Sequence, residues 1–459
     1  MNTLKLLPLA LALLTVDSQA APISPVVSTE FGAVQGRTQD GVASFKGIPF
    51  AAAPVGKLRW RAAQPALSWS NVRQASKYGN DCMQNPIAND AAPPGATPSE
   101  DCLYLNVWLP AAVTSKTPVM VWIYGGGFMN GGASAPVYSG VELAKRGIIV
   151  VSFNYRVARF GFFAHPQLTA YRPANEPIGN YGFMDQIAAL RWVKRNISEF
   201  GGDAQNVTVV GESAGGMAIH TLLTSPLSRG LFQRAVIQSG GDGKLLMTDM
   251  NSAEQAGINF AATQGIDADD PYALQKMRSL SAKAIAGDLS MLSLFKAPDG
   301  KPTFTTPMYD GQVSVDALKA YQQDHFAHVP VMVGATSDDL YGSEGPMTQG
   351  VESIANTLSK AGMTVYRYRY SYVNQAAQAQ GQQGAKHAGE IPYFFHTIAQ
   401  RFGASVTDRD ESASLLASSY LVNFVKTGNP NGPSLPYWPI FTEQHQSLDL
   451  TPDGSASLF

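Results

Sequence analysis

The chain of 459 residues lacks a dominant charge of either sign and contains little cysteine. Its 33 basic and 35 acidic side chains leave a formal net charge of -2. Because nucleic-acid binding depends on clustered positive charge, no nucleic-acid partner is expected. The two cysteines, Cys82 and Cys102, are not accompanied by a second Cys or His pair at zinc-ligand spacing, so they predict no metal site.

Long hydrophobic runs are also missing. The apolar run near the N-terminus, Leu6 to Thr15, has about ten residues, half of the roughly twenty needed to span a membrane. Lys5 precedes it, and Ser18-Gln-Ala20 supplies the small residues that signal peptidase requires. We therefore interpret residues 1–20 as a cleaved signal peptide rather than a membrane anchor, and expect a secreted or periplasmic protein with no membrane span. An oxidising compartment favours a disulfide between the two cysteines over two buried free thiols.

The apolar residues that are present predict an α/β fold. Short runs rich in β-branched residues are typical of buried parallel strands, and helix-like segments such as 185–200 alternate with them. This alternation predicts a mostly parallel central sheet flanked by helices. No linker or internal repeat divides the chain, so residues 21–459 are predicted to form a single domain with insertions. The predicted strands are 118–123, 148–152, 207–210 and 235–238, with a long loop over 81–98 and a flexible surface loop over 374–383.

A candidate nucleophile lies in Gly211-Glu-Ser-Ala-Gly215. This five-residue pattern is common by chance, but here the strand 207–210 precedes it and the helix-like run 217–223 follows it. A sharp turn between strand and helix holds the serine of a nucleophile elbow, and glycines are needed where a side chain would crowd that turn. The flanking elements therefore favour Ser213 as a nucleophile over a purely structural turn.

Three consecutive glycines follow another predicted strand, in Tyr124-Gly-Gly-Gly-Phe128. Glycines expose backbone N–H groups, which stabilise the oxyanion of a tetrahedral intermediate. Gly126 and Gly127, together with the N–H of Ala214, are the predicted donors. The alternative, a phosphate-binding loop, is disfavoured because no Lys followed by Ser or Thr occurs at the required spacing.

Several ordered blocks along the chain form one pattern: Phe45-Lys-Gly-Ile-Pro-Phe50, Glu100-Asp-Cys-Leu-Tyr-Leu-Asn106, Tyr124-Gly-Gly-Gly-Phe128, Asn180-Tyr-Gly-Phe-Met-Asp-Gln186, Phe200-Gly-Gly-Asp203, Gly211-Glu-Ser-Ala-Gly-Gly216 and Phe232-Gln-Arg-Ala-Val-Ile-Gln-Ser239. Together they resemble the type-B carboxylesterase family of α/β-hydrolases. This resemblance implies the α/β-hydrolase fold, a Cys82–Cys102 disulfide and an Arg59–Glu100 salt bridge beside it. It also implies a serine esterase that hydrolyses carboxylic esters.

The base is predicted from the order of the catalytic residues along the chain. In this fold the order is Ser, acid and His, so only histidines that follow Ser213 and an acid-bearing loop qualify. His387 opens a segment, 387–395, that resembles the histidine block of the family. His396, at the end of an apolar run, is interpreted as a core or rim residue, and His445 as part of an exposed polar segment.

The acid is expected in a loop after a strand, and residues 330–333 followed by 334–339 provide one. Asp339 occupies the position at which the family usually has glutamate. Aspartate suffices there, because the acid orients the imidazole and stabilises the imidazolium. Asp338 and Glu344 stay as alternatives, because Leu340 stands where the family commonly has glycine. By resemblance, Ser239 and Glu212 are expected to support the site.

The predicted mechanism is attack of Ser213 on the ester carbonyl through an acyl-enzyme, which needs no cofactor. Only 48 positions separate Asp339 from His387, and this stretch looks shorter than in family members, where it walls the active site. We expect an open pocket that admits small or bulky esters. Choline-hydrolysing members of the family use an aromatic residue in the loop between the cysteines to bind the quaternary ammonium. This loop has no tryptophan here, which disfavours choline esters. The alternatives are a lipase, an acyltransferase or a catalytically silent binding protein of the same fold.

Overall fold

The computed structural model describes residues 25–87, 90–296 and 300–459, and the signal peptide predicted for residues 1–20 lies outside them. Eleven strands form one large sheet whose order is β1-β2-β3-β5-β4-β6-β7-β8-β9-β10-β11. In chain order the strands are β1 (Arg37–Gln39), β2 (Val42–Pro49), β3 (Tyr104–Leu109), β4 (Thr117–Ile123), β5 (Ile149–Phe153), β6 (Gly202–Glu212), β7 (Arg234–Gln238), β8 (Val331–Thr336), β9 (Val365–Tyr370), β10 (Leu448–Leu450) and β11 (Ala456–Leu458).

The centre of this sheet is parallel and its edges are antiparallel. Every neighbouring pair from β5 to β10 runs parallel, whereas β1, β2, β3 and β11 pair antiparallel with their neighbours. The predicted mostly parallel sheet is therefore confirmed. Because parallel strands end at the same edge, the segments that follow β4, β6, β7 and β8 come together there.

Helices connect the strands and pack against the sheet. The described residues form fourteen α-helices, and α5 is buried along its whole length. The helices are α1 (Val141–Ala144), α2 (Ala158–Gly161), α3 (Pro166–Ala170), α4 (Tyr181–Asn196), α5 (Ala214–Thr224), α6 (Met250–Thr263), α7 (Ala273–Ser279), α8 (Ala282–Ala286), α9 (Ala317–Gln322), α10 (Pro346–Lys360), α11 (Gln375–Ala379), α12 (Ile391–Phe394), α13 (Ile398–Phe402) and α14 (Asp408–Thr427). None of the helices in the described ranges is long and apolar enough to cross a membrane.

Two helical segments differ from the sequence-based prediction. Helix α4 begins at Tyr181, four residues before the predicted start, and a 3-10 turn over Ile197–Phe200 follows it. Gly182 lowers the local helix propensity, which hides this first turn in the sequence. The loop predicted over 374–383 is wrong for residues 375–379, which form α11. Its glutamines and alanines favour a helix, and the Asn374 side chain caps it by accepting from the Ala377 N–H.

The predicted disulfide is present between Cys82 and Cys102, with a Cα–Cα distance of 4.9 Å. Two short parallel strands, Asp81–Cys82 and Pro98–Ser99, pair at the base of the loop that it closes. Beside it, Arg59 Nε donates to Glu100 Oε2 at 2.7 Å, which confirms the predicted salt bridge. A three-stranded sheet elsewhere joins Val26–Thr29, Gly32–Gln35 and Arg73–Gln74. Two further sheets have two strands each: Phe162–Phe163 pairs with Gly179–Asn180, and Thr248–Asp249 pairs with Met308–Tyr309.

Candidate active site

The turn between β6 and α5 holds Ser213 in an unusual backbone conformation, with φ 55° and ψ -122°. Side chains rarely adopt a positive φ, so the surrounding structure must enforce it. The neighbouring glycines show how tightly the turn is packed. A Cβ on Gly215 would lie 2.0 Å from the Ile123 carbonyl oxygen, and one on Gly211 would lie 2.6 Å from the Gly215 carbonyl carbon. The strand, sharp turn and helix predicted around Ser213 are therefore present.

Three of the predicted residues form a continuous chain of hydrogen bonds. His387 Nε2 lies 2.8 Å from Ser213 Oγ, and His387 Nδ1 lies 2.6 Å from Asp339 Oδ1. An imidazole bonded on both nitrogens can take a proton from the serine while the carboxylate fixes its orientation. These contacts bring together side chains from three segments that are far apart in sequence.

Hydrogen bonds from its surroundings fix the Asp339 carboxylate. Its Oδ2 accepts from Ser239 Oγ at 2.7 Å and Thr336 Oγ1 at 2.8 Å, and its Oδ1 accepts from the Leu340 N–H at 2.7 Å. Burial alone would raise the pKa of Asp339, but the contact with His387 and the Ser239 hydroxyl hold it below its ordinary value. Asp339 is therefore an ionised, oriented partner for the imidazole, and Ser239 lies where the resemblance implied.

The alternative acids and bases lie elsewhere. Asp338 forms an exposed ion pair with Lys386, and Glu344 accepts from Gln349 Nε2 at 3.2 Å. Of the other two histidines, His396 Nδ1 lies 2.8 Å from Ser414 Oγ and His445 is exposed beside Phe441. None of these four candidates contacts Ser213.

Two further carboxylates are buried around His387. Glu212 Oε1 lies 3.4 Å from His387 Nε2, and Glu390 Oε1 accepts from Ser239 Oγ at 3.3 Å. Burial raises the pKa of Glu212 to about 7, and burial together with the Glu212 charge raises that of Glu390 well above its ordinary value. Sequence reasoning did not assign Glu390 to the site. Its position three residues after His387 was the available signal.

These carboxylates change the basicity of His387. Burial alone would lower the pKa of the imidazole, but the charge of Glu212 and the bond to Asp339 outweigh it and raise the pKa to about 9. A more basic imidazole is a stronger proton acceptor, and its protonated form is stabilised after it takes the serine proton. The local electrostatics therefore stabilise the imidazolium that forms as the serine proton is taken, and they make the neutral base available only as the pH approaches this value.

The glycine-rich loop after β4 lies against the serine. A Cβ on Gly125 would lie 2.9 Å from Ser213 Cβ, so only glycine allows this approach. Gly126 and Gly127 have φ values of 100° and 63°. Within the described part of the chain, no acceptor bonds the backbone N–H groups of Gly126, Gly127 or Ala214. These three N–H groups are therefore free to donate to a ligand, which is what an oxyanion hole requires of its donors.

A buried glutamine braces this loop from the disulfide-closed segment. Gln84 Nε2 donates to the Gly131 carbonyl at 2.6 Å, and its Oε1 accepts from the Gly131 N–H at 2.8 Å and from Asn130 Nδ2 at 3.2 Å. Asn130 Oδ1 in turn accepts from the Met291 N–H at 2.6 Å. Neither polar side chain was singled out in the sequence, because both contacts join distant segments.

The side chains over the glycine-rich loop are apolar. A Cβ on Gly127 would meet Leu294 at 2.6 Å and Met291 at 3.2 Å, which places these two side chains on that loop. Arg159 bonds the segments that precede and follow Met291 and Leu294 in the sequence, donating to the Ile285 carbonyl at 2.8 Å and to the Thr303 carbonyl at 2.9 Å. Ser213 is buried, with 8% of its surface exposed, and the His387 side chain is 21% exposed.

The fold and the serine, histidine and aspartate geometry define a serine hydrolase of the α/β-hydrolase class. The profile of the Carboxylesterase family matches residues 23–345 and 341–457, and the chain belongs to this family. It is a carboxylic ester hydrolase.

Named relatives agree with this assignment. The chain is 34% identical to fumonisin B1 esterase of Sphingopyxis macrogoltabida, over 92% of this chain and 85% of that protein. It is 32% identical to para-nitrobenzyl esterase of Bacillus subtilis (strain 168), over 91% of this chain and 93% of that protein. A solved PNB esterase structure superimposes with a TM-score of 0.83 at 29% identity, covering 95% and 97% of the two chains. A Geobacillus stearothermophilus carboxylesterase gives a TM-score of 0.80 at 30% identity, with the same two coverages.

Proposed function

We propose that Ser213 is the nucleophile of this esterase, His387 its general base and Asp339 the acid that orients the base. The observation that carries this assignment is the pair of short contacts at His387, 2.8 Å to Ser213 Oγ and 2.6 Å to Asp339 Oδ1. We assign the oxyanion hole to the backbone N–H groups of Gly126, Gly127 and Ala214. Each such donor contributes on the order of a hundredfold to the rate.

The reaction proceeds in two halves. His387 Nε2 takes the Ser213 hydroxyl proton while Oγ bonds to the ester carbonyl carbon, and the carbonyl oxygen becomes an oxyanion. When the tetrahedral intermediate collapses, the bond to the alcohol oxygen breaks and that oxygen takes the proton from His387. Water then attacks the acyl-serine with His387 again as base, and the acid leaves as Ser213 regains its proton. The chemistry uses only these side chains and backbone donors.

The test replaces the nucleophile. Ser213→Ala should fold normally, lose labelling by a fluorophosphonate and lose hydrolysis of 4-nitrophenyl butyrate by a factor of about 10⁵ or more. Ser239→Ala is the matched control, because it removes a buried serine hydroxyl that bonds Asp339 and Glu390 rather than His387. This control should keep both fluorophosphonate labelling and measurable turnover. Near wild-type hydrolysis by Ser213→Ala would disprove the assignment.

We propose that the site admits bulky esters as well as small ones. Between Asp339 and His387 the chain forms one long helix, α10, and one short helix, α11. The exposed fraction of the His387 side chain, 21%, supports direct access from solvent. Among the relatives, one is named for fumonisin B1 and another for a para-nitrobenzyl ester.

A substrate comparison tests this access. We expect kcat/KM for the 4-nitrophenyl ester of a branched or bicyclic acid to stay within about tenfold of that for the acetate. In a close-fitting hydrophobic pocket a single methylene changes the ratio of kcat/KM between two substrates by about 10- to 200-fold, and an open site lacks such close walls. Acetate hydrolysis with no turnover of any bulky ester would contradict an open site, while leaving the Ser213 assignment intact.

We also propose that the protein is exported as a single hydrolase domain spanning residues 21–459. The support is the signal-like composition of residues 1–20, the Cys82–Cys102 disulfide and one family profile that covers residues 23–457 in two segments. N-terminal sequencing of the exported protein should begin at Ala21. Full-length protein retained inside the cell would contradict export.

A further inference from the structure

A cavity of about 180 Å³ lies beside the loop that carries His387. Five consecutive residues, 385–389, form one side, and the chain around α11 and α13 forms the rest. His387 lines the cavity, but Ser213 and the glycines of the 125–127 loop do not, so the cavity adjoins the candidate ester site only at the imidazole. Since a water takes about 30 Å³ of liquid, the cavity has room for a small organic molecule.

A buried donor at this cavity has no partner. Asn374 is 6% exposed, and its Oδ1 accepts from the Ala377 N–H at the start of α11. This contact fixes the orientation of the amide, so the other atom is the Nδ2 donor. Among the described residues nothing accepts a hydrogen bond from Asn374 Nδ2. A buried donor without an acceptor is unfavourable, and a ligand oxygen would satisfy it.

The charge at the cavity is positive. Arg401 lines it, and no carboxylate in the described ranges lies within ion-pair distance of this guanidinium. Its one hydrogen bond there is a long contact of 3.4 Å to the Asp90 carbonyl. Lys386 also lines the cavity but is already paired with Asp338. The uncompensated charge therefore belongs to Arg401.

The remaining walls are largely apolar. The side chains of Tyr372, Pro392 and Phe402 line the cavity together with several small residues. A ligand that matches these walls has a hydrocarbon part and an anionic, oxygen-bearing end. The planar guanidinium of an arginine fits a carboxylate with two parallel hydrogen bonds.

We propose that this cavity binds a small organic carboxylate, with its oxygens on Arg401 and Asn374 Nδ2 and its hydrocarbon part against Phe402 and Tyr372. The ligand belongs to the same chemical class as the acid that ester hydrolysis releases. None of the proposed ligand contacts involves Ser213, although the cavity also touches His387.

Calorimetric titration of the mature protein with benzoate tests the proposal, with benzamide as the neutral analogue of the same shape. We expect saturable benzoate binding, and binding of benzamide at least tenfold weaker. Arg401→Gln should weaken benzoate binding at least tenfold. So should Asn374→Asp, which keeps the oxygen that caps α11 but removes the donor. Arg172→Gln, which changes an exposed arginine outside the cavity, should leave binding unchanged.

A second arm separates this site from the ester site. Benzoate should bind equally to protein whose Ser213 has been blocked by a fluorophosphonate. No saturable binding, equal binding by Arg401→Gln, or loss of binding after blocking would overturn the proposal. Failure of the fluorophosphonate to label the protein would instead disprove the Ser213 assignment and leave the benzoate titrations valid.

Discussion

The side-chain amide of Gln84 bonds both backbone groups of Gly131, donating to its carbonyl at 2.6 Å and accepting from its N–H at 2.8 Å. Gly131 ends the turn that begins at the glycine-rich loop, and a Cβ on Gly126 would lie 2.3 Å from the Asn130 carbonyl oxygen. The segment closed by Cys82 and Cys102 therefore braces the loop that carries two of the three proposed oxyanion donors, although it contributes none of them.

Gln84→Ala should lower kcat without a matching rise in KM. Removing the amide frees Gly131 and Asn130, and a misplacement of about 1 Å costs on the order of a hundredfold in rate. Steady-state hydrolysis of 4-nitrophenyl butyrate measures the effect. The control is Gln74→Ala, which removes an exposed amide bonded to Gln35. An unchanged kcat in a folded Gln84→Ala protein would show that the loop holds its shape without the brace.

Asp339→Asn should lower kcat by about 10³- to 10⁴-fold and leave the fold intact. The amide no longer stabilises the imidazolium and favours the wrong tautomer of His387. Asp338→Asn and Glu344→Gln are the matched controls, because sequence reasoning left both open and neither side chain contacts His387. Measuring kcat of the three variants on the same ester shows which of the three carboxylates acts as the triad acid. A large loss in either control instead of Asp339→Asn would reassign the role.

Glu212→Gln should shift the acidic limb of the kcat/KM profile to lower pH. Neutral His387 is the active base, and its pKa is raised to about 9, with the charge of Glu212 as the largest raising cause. Removing that charge lets the imidazole lose its proton at lower pH, so activity appears earlier as the pH rises. The exposed Glu199→Gln provides the control and should leave the limb in place. A limb that stays or moves to higher pH in Glu212→Gln would contradict this electrostatic role.

Asp185→Asn should lower the free energy of unfolding by about 3–5 kcal/mol. Asp185 and Arg156 are buried, and the Arg156 guanidinium donates two hydrogen bonds of 2.7 and 2.8 Å to the carboxylate, so the amide leaves a buried guanidinium without its counter-charge. Urea unfolding followed by fluorescence measures the change. The control, Glu30→Gln, breaks the more exposed pair with Arg195 and should cost about 1 kcal/mol or less. Equal losses of unfolding free energy in the two variants would mean that burial does not make the Asp185–Arg156 pair more costly to break than the exposed pair.

Local patterns carried most of the sequence-based prediction. The elbow at Ser213 was predictable because strand, turn and helix follow one another within a few residues. The pairing of His387 with Asp339 was predicted from the order of such residues in this fold together with the resemblance of both segments to the family, although 48 positions separate them.

Other features depend on contacts that no local pattern carries. Gln84 lies 47 positions from Gly131, and nothing near it in the sequence marks it as a brace. Arg159 reaches the Ile285 carbonyl across 126 positions. The helix at 375–379 was missed for another reason: a glutamine-rich composition was interpreted as a loop although its residues favour a helix.

The disulfide has a consequence for how the enzyme matures. A newly made chain with Cys82 and Cys102 still reduced has the complete set of reacting side chains, yet the segment that carries Gln84 is not closed. On the chain-entropy account such a closure stabilises the folded chain by about 3 kcal/mol. Reduction of two thiols remote from the chemistry would therefore lower the free energy of unfolding of the chain that holds Gln84 against Gly131, and stability would depend on the redox state of the compartment in which the chain folds.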